Sequence, residues 1–168
     1  MAERRGRLVP WLLAALGLVL LDQACKWWAT GALEYGVPQP VWRWFNLTLL
    51  HNTGAAFSFL AHGDGWQRWL FAAIALAVSA WIIFMLRGCA PDARWLPVSL
   101  TLVLGGALGN LWDRLVLGYV IDFVHLCHGA RCFPAFNLAD SAITVGAVML
   151  VIDSFRSQRH DAAGAGSR

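Results

Sequence analysis

Residues 105–123 read Gly-Gly-Ala-Leu-Gly-Asn110-Leu-Trp-Asp113-Arg114-Leu-Val-Leu-Gly-Tyr-Val-Ile-Asp122-Phe123, and this stretch decides the fold. It opens as an apolar segment able to cross a membrane and ends with four polar or charged side chains. A charge at membrane depth costs several kcal/mol by most scales, so it marks a functional site with a partner. The partner expected for Asp122 is Asp140.

Composition agrees with a membrane class. The chain has 168 residues, 58% hydrophobic and 14% charged, with mean hydropathy +0.55. That is more apolar surface than one small soluble core can hide. Ten Trp and nine Phe suit a protein that meets the bilayer interface repeatedly. No basic run interleaved with aromatics forms a nucleic-acid groove, so nucleic acid is excluded as a partner.

Outward from residues 105–123, four apolar spans are expected, over about 8–29, 66–86, 95–117 and 136–155. Together they form a single all-α membrane domain covering residues 1–168. The first span follows Arg4, Arg5 and Arg7, yet no cleavage site fits, so it is read as a retained helix and not a signal peptide. Asp22 and Lys26 lie four apart near its outer end and can pair on one helix face. In the third span, Gly105 and Gly109 have the small-xxx-small spacing that lets helices pack closely. Between Asp140 and Asp153 lie only 12 uncharged residues. A helix needs about 20 to cross, so the fourth span is expected to borrow from residues ahead of Asp140, within 133–152.

Residues of about 35–62 differ from the spans. Gly36, Pro38 and Pro40 break helices, and Phe45, Leu47 and Leu49 alternate with Asn46 and Thr48 at strand period. A small extracytoplasmic β subdomain between helices 1 and 2 is therefore expected. It leads into Asn52-Thr-Gly54-Ala-Ala-Phe-Ser58, a turn whose amides could face a ligand. His51 and His62 read as surface or interfacial histidines. Residues of about 160–168 read as a disordered tail.

Basic residues set the orientation. Arg4, Arg5, Arg7, Arg87, Arg94, Arg156, Arg159 and Arg168 fall on one side, against Lys26, Arg43, Arg68, Arg114 and Arg131 on the other. This bias predicts cytoplasmic termini and an outward-facing polar site. Cys127 and Cys132 then lie on the oxidising side, where their spacing allows a local disulfide. With His125 and His128 they match no standard metal spacing, so no metal is expected. Cys25 and Cys89 read as small hydrophobes or free thiols.

Two carboxylates close together in a poorly solvated place tend to share one proton, which supplies a base and an acid at once. The strongest rival is a small proton-linked transporter or channel, since paired membrane acids also relay protons; a second is a structural assembly factor held by buried polar groups. Against the transporter, the polar groups gather at one end and no inverted repeat is visible.

Taken together, Leu-Asp22-Gln-x-x-Lys26, Asn52-x-Gly54-Ala-Ala-Phe-Ser, Gly-Asn110-x-x-Asp113-Arg114, Val-x-Asp122-Phe and Phe-Asn137-x-Ala139-Asp140-Ser141 resemble the blocks of lipoprotein signal peptidase (signal peptidase II). The resemblance covers about residues 21–141 in the right order. It implies a catalytic dyad of Asp122 and Asp140, substrate-backbone contacts from Asn52 and Arg114, and Asn110 with Asn137 orienting the dyad. Asp113 would have a structural pairing role. Asp22, Lys26, Gly54, Ala139 and Ser141 are the remaining motif positions. The implied substrate is a diacylglyceryl-modified prolipoprotein cleaved before its lipidated cysteine, in the bacterial inner membrane. The resemblance implies no cofactor, and a monomer among membrane lipids is expected. Residues 125–131 match no block of this family.

Overall fold

The computed structural model describes residues 2–54, 65–90, 92–129 and 131–165. Among them are four helices: α1 (Ala2–Ala32), α2 (Trp66–Gly88), α3 (Trp95–Val116) and α4 (Leu138–Ala165). Each contains a stretch long and apolar enough to cross a bilayer: Leu8–Ala32, Trp66–Gly88, Trp95–Val116 and Leu138–Arg156. The helix α4 starts at Leu138 and takes its length from beyond Asp153, not from residues 133–137. It also continues to Ala165, where a disordered tail was expected from about 160. Residues 166–168, like 55–64, lie outside the described residues, so His62 and the end of the Asn52–Ser58 block do too.

The helix α3 is central. Some 61% of its apolar span is buried, against 11–22% for the other three, and it packs on α1, α2 and α4. Lipid tails are as apolar as leucine, so helices associate in a membrane by close packing and polar contacts and gain little from hydrophobicity. Both devices are present. Gly105 and Gly109 face α1, where an added Cβ would lie 2.7 Å from Leu18 and from Asp22 Oδ2 respectively. Gly106, one residue off that stripe, faces α4, where a Cβ would run into the Ala139 carbonyl oxygen. Leu100, Leu104, Ala15, Ile82 and Leu86 fill the apolar centre of the bundle.

A four-stranded antiparallel sheet caps one end, in the order β1 (Gln39–Trp42), β2 (Phe45–Asn52), β3 (Val120–His128), β4 (Arg131–Cys132). Two strands come from the α1–α2 connection, as the alternation predicts. The other two come from the α3–α4 connection, where no strand was expected. Ala29 of α1 and Leu33, just past its end, pack against Leu49, Ile121 and Phe123, which fixes the sheet on the end of the bundle. Cys127 lies opposite Cys132 and the two are joined as a disulfide. Cys25 and Cys89 are free thiols. His51 is exposed, stacked at 4.0 Å on Tyr119.

The glycine packing gives a test. Gly106→Ala pushes α3 and α4 apart and should destabilise the protein by about 1–3 kcal/mol. Gly17→Ala, at a position with nothing within 4 Å, should not. Thermal unfolding in detergent measures both, and equal melting points would contradict the packing.

Candidate active site

The site starts from a buried cation. Lys26 is 1% exposed and pairs with Asp22 Oδ2 at 2.8 Å and with Asp113 Oδ2 at 2.9 Å. The first partner is the i,i+4 neighbour expected from sequence. The second sits on α3, and gives Asp113 its pairing role. Gln23 adds a further tie, donating to Asp113 Oδ1 at 2.8 Å and to the Gly109 carbonyl. Backbone donors complete the two carboxylates: Ile121 N–H to Asp113 Oδ2, and Ala139 N–H to Asp22 Oδ1. The last is one of the N–H groups that the start of a helix leaves without an intrahelical acceptor. One lysine thus ties α1 to α3, and its partner Asp22 holds the first turn of α4.

Lys26 also sets the direction of an amide. An ammonium only donates, so its 2.9 Å contact with Asn110 requires the amide oxygen there. The Asn110 NH₂ group is then turned to Asp140, to whose Oδ1 it donates at 2.7 Å. Asn137 performs the matching task. Its Nδ2 donates to Asp122 Oδ1 at 2.8 Å and to Asn110 Oδ1 at 3.1 Å, and its Oδ1 accepts from the Asp140 N–H at 2.9 Å. The Asn137 N–H in turn donates to Asp140 Oδ2. Residues 137 and 140 therefore form a reciprocal capping box with Asp in place of the usual Glu. Ser141 Oγ donates to the Asn137 carbonyl and steadies the same turn.

Asp122 on β3 and Asp140 on α4 are thereby held by one pair of linked amides. Asp122 is 2% exposed and also accepts from Asn52 Nδ2 at 3.0 Å. Burial, helped by the charge of Asp140, pushes the Asp122 carboxyl up to about 7 despite the hydrogen bonds from Asn52 and Asn137 and the nearby Lys26. The Asn52 side chain also accepts from the Gly54 N–H, closing a tight turn.

An apolar cleft of about 760 Å³ opens onto this cluster, between α2, α3, α4 and residues 133–136. Phe71, Ile74, Val103, Phe136 and Ile143 are among its apolar walls, and Asn52, Gly54, Asn110, Arg114 and Asp140 form its polar end. Arg114 reaches the Gly54 carbonyl and lies 5.1 Å over the Phe71 ring. The twelve positions singled out from sequence divide into three groups. Asp122, Asp140, Asn110, Asn137 and Asn52 meet directly. Arg114 and Gly54 line the cleft beside them. Asp22, Lys26, Asp113, Ala139 and Ser141 hold the frame. Gln23 and Phe71 were not singled out. Gln23 had a signal, since it is a polar residue beside Asp22 in a largely apolar span.

Comparison with known proteins agrees with the family resemblance read from sequence. The family described as Signal peptidase (SPase) II matches residues 14–156. A lipoprotein signal peptidase of Pseudomonas putida is 53% identical over 163 residues, covering 95% of this chain and 94% of the relative. One from Acinetobacter baylyi is 50% identical, covering 86% and 81%. Two solved structures described as bacterial membrane enzymes superpose with TM-scores of 0.78 and 0.71 at 27% and 29% identity. The first covers 89% of both chains, the second 86% of this chain and 91% of its own.

Removing the buried cation leaves two buried carboxylates short of a partner. Lys26→Met should therefore cost about 3–5 kcal/mol of stability. A melting point in detergent equal to that of the wild type would show the pair network to be dispensable.

Proposed function

Because the chain belongs to the signal peptidase II family, we propose that it is an intramembrane aspartic endopeptidase that removes signal peptides from diacylglyceryl-modified prolipoproteins. The observation that carries this reading is the bridging of Asp122 and Asp140 by Asn110 and Asn137 at the polar end of an apolar cleft.

The chemistry follows from the pair sharing one proton. Below about pH 7 the proton resides on Asp122. Asp140, on the cleft wall, then takes a proton from the attacking water while Asp122 donates to the scissile carbonyl oxygen. The resulting gem-diol collapses as the C–N bond breaks. Asp140 gives its proton to the leaving amide nitrogen while Asp122 takes one back from a gem-diol hydroxyl, so the new carboxyl group and amine form and the dyad returns to its starting state. Water is the nucleophile, and the two carboxyl groups carry every proton transfer in this reading.

The rest of the site fits a lipidated peptide. The apolar walls take the signal segment, and Arg114 and Asn52 bind its backbone near the bond cleaved, ahead of the lipidated cysteine. The acyl chains remain in lipid, because a substrate that is itself a membrane helix arrives laterally. The distribution of basic residues supports cytoplasmic termini, with the sheet and dyad toward the extracytoplasmic face of the inner membrane. One chain supplies the whole site, which supports a monomer.

Asp122→Asn and Asp140→Asn should each lower cleavage of a lipidated precursor in detergent by about 100- to 10,000-fold while leaving its binding largely intact. Full cleavage by either variant would exclude the dyad. The pH profile is also signed. Asp122 loses its proton as pH rises through about 7, so kcat/KM should fall there. Asn52→Ala removes a hydrogen bond that favours the ionised form, and should move that alkaline limb to higher pH. A limb that stays in place, or moves down, would contradict the role given to Asp122.

A further inference from the structure

Beyond Phe123, the outer part of the hairpin formed by β3 and β4 lies past the motif blocks and carries a second cluster of reactive side chains. His125 and Cys127 are two apart on β3 and so share a face of the strand, and Cys132 is the cross-strand partner of Cys127. A ring nitrogen of His125 and the two sulfurs all lie within 4.8 Å of one another. His125 is oriented for this. Its Nδ1 is 3.2 Å from the hydroxyl of buried Thr48, and its Nε2 is 3.5 Å from Cys127 Sγ. With Nδ1 protonated and donating to Thr48, Nε2 turns its lone pair to the sulfurs. A hydrogen bond donated by the far ring nitrogen to a neighbouring oxygen is the usual support of a metal-binding histidine.

We propose that, when the disulfide is reduced, His125, Cys127 and Cys132 form a three-ligand site for a thiolate-seeking d¹⁰ cation, Zn(II) or Cu(I). A nitrogen and two thiolates suit these ions. Zn–S and Zn–N bonds of about 2.3 and 2.0–2.1 Å put ligand atoms about 3.3–3.8 Å apart, within reach of side-chain rotation from the arrangement described. A hollow of about 310 Å³ beside Cys127, lined also by Trp44, Leu126, His128 and Arg131, leaves room for a water as fourth ligand. Reduction by a dithiol breaks the S–S bond. The protein gains two electrons and two protons, and the dithiol becomes a disulfide. Metal binding then displaces both thiol protons. Disulfide and metal are alternative staples for one hairpin, whose return strand leads into Phe133 and Phe136 on the cleft wall.

The test uses the full chain in detergent, reduced with a dithiol, desalted without oxygen and titrated with Co(II) as a coloured probe. A thiolate-to-cobalt charge-transfer band should saturate at one equivalent and be absent from the oxidised protein and from Cys132→Ser. Thr48→Val should weaken Co(II) binding by about 10- to 100-fold. Competition with Zn(II) and with Cu(I) then identifies which ion holds the site more tightly. Retained cleavage of a lipidated precursor by Cys132→Ser shows that the variant is folded. No band in the reduced wild type, or an undiminished band in Cys132→Ser, would overturn the proposal.

Discussion

The structure depends on one desolvated ammonium group. Lys26 is almost wholly withdrawn from solvent, and an ion in such a place is tolerable only if its donors are all engaged. They are, by Asp22, Asp113 and Asn110. A buried ion pair adds little net stability compared with well-packed apolar side chains. Here its effect is geometric. Apolar packing alone would let helices in lipid slide or rotate against one another. Three acceptors around one lysine fix the relation of α1 to α3, and Asp22 passes that constraint to the backbone of α4 through Ala139.

Function is built on the same constraint. Since Lys26 can only donate, Asn110 has one possible orientation, and that orientation presents its NH₂ to Asp140 and its oxygen to Asn137. Asn137 ends up both capping α4 and holding Asp122. A helix start, a strand and a central helix therefore meet at two asparagines. The glycines of α3 permit the approach, because a Cβ at Gly106 would collide with the backbone of residue 139. The hairpin that closes the same end of the molecule is stapled separately, by the disulfide between Cys127 and Cys132.

Much of this was legible in the chain. The Asp22–Lys26 pair follows from helical spacing, and the four spans from their apolar runs. Conversely, the pairing of Lys26 with Asp113 joins residues remote in sequence, and no local pattern announces it. No alternation announces the strand β3, because residues 120–123 are buried on both faces, unlike a half-buried strand. Length alone puts the start of α4 too early, because the helix extends past Asp153 to Ala165. A local signal at Asn137-x-x-Asp140, the capping box, points to Leu138 instead. Simple alternation would put Thr48 on the face opposite Leu47 and Leu49, yet it is buried beside His125, where a bulge between Leu47 and Leu50 shifts the register.

The central claim is that Asp122 and Asp140 act as a pair holding one proton. Infrared spectroscopy of protein isotopically labelled at aspartate observes a protonated carboxyl directly. The account predicts a protonated-carboxyl band that titrates away near pH 7, where burial pushes Asp122 up to about 7, and that is missing from Asp122→Asn. A wild-type enzyme that cleaves at full rate below neutrality with no protonated aspartate in its spectrum would contradict it.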